Sequence, residues 1–155
     1  MSNCQVWPKY NTFQKTTGRN GKHADNRQNP DILVLCALLH DSIEDTSTSY
    51  EDINKVFGND VANGVLSLTK DKDLPTKIEQ MQDSINRIKK QPKAVWMVKL
   101  CDRITNLQPP PKHWNKEKIA KYQNEARFIL EELGEASQFL AERLKMKIDA
   151  YDQYL

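Results

Sequence analysis

Two stretches of this chain are apolar around nearly the whole circumference of a helix: DILVLCALLHD, beginning at Asp31, and KAVWMVKLCDRITNL, beginning at Lys93. A helix with no wet face has to be enclosed by other elements, so both read as buried helices of a larger assembly. Asn29 and Pro30 offer an N-cap and a first-turn proline for the first, while Pro109, Pro110 and Pro111 stop the second because they cannot donate helical hydrogen bonds. Between them, Ser47, Thr48 or Ser49 caps a short helix through Tyr50, Ile53, Val56 and Phe57, which Gly58 closes in a left-handed conformation. Asn59 is expected to cap the next, through Val61, Val65, Leu66 and Leu68 to about Thr69 and Lys70. Pro75 is expected to start another, with Ile78, Met81, Ile85 and Ile88 on one stripe. Lys116–Leu133 and Ala136–Tyr151 give two long amphipathic patterns. The prediction is an all-α bundle of about seven helices without a strand, formed by residues 30–155 after an irregular N-terminal segment, 1–29.

At 155 residues, 38% hydrophobic and 28% charged, the chain suits one soluble domain with a continuous core. The net charge of +2 comes from 23 basic and 21 acidic residues interleaved along the sequence, which provides no long-range field favouring nucleic acid or anionic lipid. Cys4, Cys36 and Cys101 are odd in number and include no CxxC pair, so they read as reduced thiols of a cytoplasmic protein. No apolar run approaches the roughly 20 residues needed to span a bilayer, and the first residues lack a signal-peptide core.

The chemistry concentrates where the two apolar stretches end. If the first helix continues, Asp41, Glu44 and Asp45 fall at i, i+3 and i+4 and share a face near its C-terminal end. Mutual repulsion and the negative end of the helix dipole oppose that clustering, and a bound cation reverses both penalties. The alternative is that Asp45 and Thr46 merely begin the next cap while Glu44 stays solvated. Asp102 follows Val95 and Val98 on a face that reads as buried, where an unpaired carboxylate is costly. Arg103 is an awkward structural partner because it points about 100° away, whereas Asn106 lies one turn on along the same face.

His40 beside Asp41, with the distant Asp102, suits Mn²⁺, Fe²⁺ or Zn²⁺, and hard oxygen donors with one imidazole lean toward manganese. Such a metal acidifies water and holds a phosphoryl oxygen, while Glu44 or Asp45 orients or deprotonates the water. No P-loop, GxGxxG, GxSxG or HExxH motif is present, and neither Cys36 nor Cys101 has a catalytic-thiol signature. Lys70, Lys72, Lys77, Lys89, Lys90 and Lys93 fit either a pyrophosphate rim or a solvated face. For Trp96, Trp114 and Tyr122, packing is favoured over base stacking.

ALLHDSIEDTSTSYEDINKVFGNDVANGVLSLTK followed by WMVKLCDRITNLQPPPKHW resembles the HD-domain hydrolases that remove the 3′-pyrophosphate of the alarmone (p)ppGpp, both the stand-alone small enzymes and the hydrolase domain of bifunctional Rel/Spo proteins. The resemblance runs from about Asp31 to Leu155 through the patterns HDxxEDT, FGxxVAxxVxxLTK and KLxDRxxNL. It implies His40, Asp41 and Asp102 as metal ligands, Glu44 and Asp45 as the acids that activate water, and Asn106 beside the nucleotide. Lys70, Arg103 and Thr105 are the further substrate contacts it suggests. The implied reaction is Mn²⁺-dependent release of pyrophosphate from a guanosine 3′-diphosphate.

Upstream the likeness fades. The family's two first helices and the His-Pro segment carrying its first metal histidine have no intact counterpart; FQKTTGRNGKH resembles its basic stretch only through Lys15, Arg19 and Lys22, and His23 is the one histidine there. Lost core helices leave apolar surface on the helix from Asp31, which makes a homodimer the expectation. Two other readings keep the same cleft: a non-catalytic module that binds nucleotide or protein, and an HD phosphohydrolase acting on a different nucleotide.

Overall fold

The computed structural model describes residues 30–155, and they are helical throughout, with no strand among them. Seven α-helices of two turns or more and one single turn follow in order: α1 (Pro30–Leu39), α2 (Ser42–Asp45), α3 (Tyr50–Phe57), α4 (Asn59–Leu68), α5 (Lys77–Ile88), α6 (Lys93–Asn106), α7 (Lys116–Leu133) and α8 (Gln138–Tyr151). Short 3₁₀ turns, Gly134–Ala136 and Asp152–Tyr154, precede and follow α8. The predicted all-α bundle is therefore the fold observed. The N-terminal segment, with the Asn29 cap, His23 and the basic stretch, lies outside the described residues.

Helix α6 is the axis of the bundle, packing against α1, α4, α7 and α8. Its residues from Ala94 to Leu100 are all buried, as an all-round apolar sequence requires. Ile85, Ile88, Leu133 and Leu144 are among the fully enclosed side chains around it, each contributing about 1.5–3 kcal/mol by leaving water. Helix α4 fits closely against both apolar helices because Gly64 has no side chain. A Cβ there would stand 2.6 Å from Cys36 Sγ on α1 and 3.1 Å from Val95 Cγ2 on α6.

Several helix boundaries differ from expectation, each for a local reason. Ser49 caps α3 in a reciprocal capping box with Asp52. Gly58 does have positive φ (85°), but its ψ of 169° makes it an extended hinge between α3 and α4 and not a left-handed cap. Asn59 is the first residue of α4 and caps nothing; its side chain accepts from the Tyr50 hydroxyl at 2.9 Å. Pro75 does not begin α5: Thr76 caps it through a capping box with Glu79, and the helix starts at Lys77, two residues after the expected position. Ser137 caps α8, so that helix starts at Gln138 instead of Ala136. Arg87 on α5 donates to the carbonyls of Leu66 and Thr69, satisfying the C-terminal end of α4 with a cation.

Candidate metal-binding cleft

The first site residues lie at a break and not on one helix. His40 Nδ1 lies 2.7 Å from the Ala37 carbonyl, and the Ser42 hydroxyl donates to the Leu39 carbonyl at 2.7 Å. Both side-chain bonds lie where α1 stops, at Leu39. Asp41 then precedes the single turn α2, with Glu44 and Asp45 inside it. The expectation that the three acids crowd the C-terminal end of a continuous helix is corrected accordingly: Asp41 precedes a separate single turn, and Glu44 and Asp45 are its last two residues.

A carbonyl oxygen can only accept, so His40 carries a proton on Nδ1, and in the neutral ring Nε2 keeps its lone pair and faces outward. That atom lies 3.0 Å from Asp41 Oδ2 and 3.8 Å from Asp102 Oδ1. Three electron-rich atoms thus converge across the ends of α1 and α6, a donor set complementary to a cation. Donors on a metal with bonds of about 2.1 Å stand about 3 Å apart in adjacent positions, which the His40–Asp41 pair satisfies. Asp102 is held back from closing the set. Its Oδ1 accepts from Asn106 Nδ2 at 2.6 Å and its Oδ2 lies 3.4 Å from Lys99 Nζ. As arranged, no group of three or more His, Cys, Asp or Glu side chains among the described residues forms a finished metal cage. The imidazole held by a backbone acceptor behind it is nonetheless the usual support of a ligating histidine.

Around these atoms is a small polar cleft of about 180 Å³, lined by His40, Asp41, Glu44, Asp45, Leu68, Lys70, Lys99, Asp102 and Asn106. Four carboxylates against two ammonium groups leave a formal charge of −2 with His40 neutral, which one divalent cation balances. Burial raises the Asp41 carboxyl above its ordinary pKa; His40 opposes that rise, and Asp102, Asp45 and Glu44 add to it. Burial also pulls the Lys99 ammonium down, with Asp102 acting in the opposite direction. Asp102 is not sealed in the core as expected; it is half-buried at the cleft edge.

The structure brings together His40, Asp41, Glu44, Asp45, Asp102, Asn106 and Lys70. It does not bring Arg103 to them. That side chain is buried against α7, its Nη2 3.3 Å from Glu125 Oε2 and its guanidinium 4.6 Å from the centre of the Tyr122 ring. Of the other lysines, Lys72 lines an adjoining open groove that shares Glu44 and Lys70 with the cleft. Lys89 and Lys93 pair with Glu132 and Glu135. Trp96 donates to the Gln91 carbonyl and Trp114 packs edge-on against Tyr122, as packing residues. Lys99 is the cleft residue that sequence reasoning missed. Its signal was available: a lysine three residues before Asp102 within a segment otherwise apolar all round.

A family model for the HD domain matches residues 25–137. The chain belongs to the HD-domain family. The guanosine-3′,5′-bis(diphosphate) 3′-pyrophosphohydrolase MESH1 of Danio rerio is 31% identical over 117 residues, covering 73% of this chain and 64% of the relative. The Homo sapiens protein of the same name is 32% identical over 120 residues, covering 74% and 66%. This HD-domain chain thus spans a little under two thirds of the length of these relatives. A solved structure, described as a metazoan ortholog of SpoT that hydrolyzes ppGpp and plays a role in starvation responses, superposes with a TM-score of 0.68. It is 30% identical, with 77% of this chain and 69% of that one covered. HD-domain membership carries with it the expectation of a divalent metal, which the donor set at His40 fits. No helix among the described residues is long and apolar enough to cross a membrane.

Proposed function

We propose that this chain is a metal-dependent phosphohydrolase that removes the 3′-pyrophosphate of guanosine tetra- or pentaphosphate. The observation that carries the reading is the convergence of the His40 Nε2 lone pair, Asp41 and Asp102 in a cleft that also holds Glu44 and Asp45. The names of the relatives supply the substrate class. His40, Asp41 and Asp102 would hold the ion; the single imidazole with carboxylate oxygens favours Mn²⁺. When bound, the cation supplies the positive charge that acidifies water and polarises a phosphoryl oxygen. Glu44 or Asp45, lining the same cleft, orients the attacking water or accepts its proton. Lys70 offers charge to the phosphates and Asn106 fixes Asp102 while facing the nucleotide. Thr105 is exposed and does not line the cleft.

The lack of a CxxC pair and the free Cys36 and Cys101 support a cytoplasmic setting. Exposed Val34 and Leu38 on α1 support self-association, and interleaved charge argues against nucleic acid as a partner.

The test is pyrophosphate release from guanosine tetraphosphate with Mn²⁺, beside Asp102→Ala and Glu44→Ala. Turnover in the parent chain with losses of about 10² or more in either variant is the expected result. No turnover together with no stoichiometric metal would overturn the enzyme reading. One observation favours a second reading, a non-catalytic nucleotide-binding module: among the described residues the cleft has a single imidazole and no finished metal cage. Guanosine tetraphosphate binding without turnover is the outcome that selects it.

A further inference from the structure

Lys99 has an environment unlike that of any other lysine described. It sits in the middle of the most buried helix, with 7% of its surface exposed, yet it lines the cleft. A buried ammonium is costly and is normally surrounded by acceptors. Here the recorded hydrogen-bond acceptor is Asp102 Oδ2, at a long 3.4 Å. An ammonium has three N–H donors. Asp41, Glu44 and Asp45 line the same cleft, but the one anion that acts directly on Lys99 is Asp102; the other charges felt there, Arg103 and Lys70, are cations. The same carboxylate is the one whose return toward His40 would complete the cation site, so Lys99 and a cation compete for Asp102.

We propose that Lys99 is the anion-binding residue on the floor of the cleft, released from Asp102 when a cation takes that carboxylate and then donating to a phosphoryl oxygen of the substrate. The assignment rests on the phosphohydrolase reading, for which it identifies the residue that receives the phosphate. It also explains why a lysine occupies a position where a methionine of similar shape avoids the cost of burying charge: the charge serves the ligand and not the fold.

The two roles predict opposite results for metal and anion, which a packing role does not. In Lys99→Met, Mn²⁺ binding, followed by the electron paramagnetic resonance of free Mn²⁺, is expected to be no weaker than in the parent, because a competing cation is gone. Inorganic phosphate binding to the Mn²⁺-loaded protein, followed by ³¹P relaxation, is expected to weaken about tenfold, the loss of one charge-assisted hydrogen bond. Lys99→Arg, which keeps the charge, is expected to recover part of it.

Equal weakening of both ligands would assign Lys99 to packing and overturn the proposal. Unchanged phosphate affinity in Lys99→Met would do the same. The parent chain provides a test that does not depend on a variant folding: with Mg²⁺ present, the Lys99 side-chain nitrogen resonance shifts on adding phosphate, and a resonance that stays put overturns the proposal. If the parent binds no divalent ion at all, the phosphohydrolase reading falls and Lys99 with it. If it binds metal and turns over while Lys99→Met retains its phosphate affinity, only the Lys99 assignment falls.

Discussion

Gly64 controls how closely the two apolar helices approach, and replacing it with alanine should both destabilise the fold and open the cleft. In the interior of α4, alanine is intrinsically better than glycine by about 1 kcal/mol. Against that gain stands the 2.6 Å approach of the new Cβ to Cys36 Sγ, well inside the roughly 3.5–4.0 Å of a comfortable contact. Cys36 is fully buried and has one side-chain torsion, so its sulfur has little room to move away. Val95, also fully buried, blocks retreat toward α6, with its Cγ2 3.1 Å away. Overpacking of this kind costs about 1–3 kcal/mol, which leaves Gly64→Ala less stable by up to about 2 kcal/mol and lowers Tm by up to about 6 °C for a domain of this size. Cys36→Ala deletes the nearest obstacle, so in that background the same substitution should cost close to nothing. Urea titration of the two single variants and the double variant measures the coupling directly. Equal penalties in both backgrounds, or a more stable Gly64→Ala protein, would show that the close approach is not what limits this position. The wedge also parts α1 from α6, which carry His40 and Asp102, so the surviving folded protein should bind Mn²⁺ less tightly.

Two further outcomes follow from the local electrostatics. The Asp52 carboxylate is held below its ordinary value of 3.8 by hydrogen bonds from the Ser49 backbone and side chain, so its contribution to stability is present above that value and fades as pH falls through the depressed folded one. Asp52→Ala should therefore be less stable than the parent near neutral pH, with the difference shrinking in denaturant titrations below about pH 4. Burial pushes the Cys36 thiol up to about 11, which reduces its thiolate at neutral pH by about a hundredfold; it should resist a chromogenic disulfide until the chain unfolds, and rapid labelling in the native state would contradict its burial.

Helix order was legible because its signals are local. Ser49 with Asp52 and Thr76 with Glu79 are capping boxes readable from residue types three apart, and α6 announced its burial by having no polar face. The misplaced starts at Pro75, Asn59 and Ala136 are contests between adjacent turn-forming residues that three-dimensional closure decides. Arg103 was harder, since a basic residue next to Asp102 in sequence fits both a site and a structural pair. Its neighbour on α7, Glu125, is 22 residues away, and nothing local indicates it.

The break after Leu39 shows most clearly where pattern stops and chemistry takes over. Apolar and acidic residues continue at helical spacing through Asp45, and no glycine or proline interrupts them. At the end of α1 lie two side-chain hydrogen bonds, His40 to Ala37 and Ser42 to Leu39. The first of these also fixes the His40 proton on Nδ1 and leaves Nε2 free to face Asp41 and Asp102. The bond at the helix end is therefore the bond that prepares the ligand. Ser42→Ala would remove only one of the two bonds. His40 would still hold the Ala37 carbonyl, and the bend that turns Asp41, Glu44 and Asp45 into the cleft would persist for the same reason that the imidazole points its lone pair there.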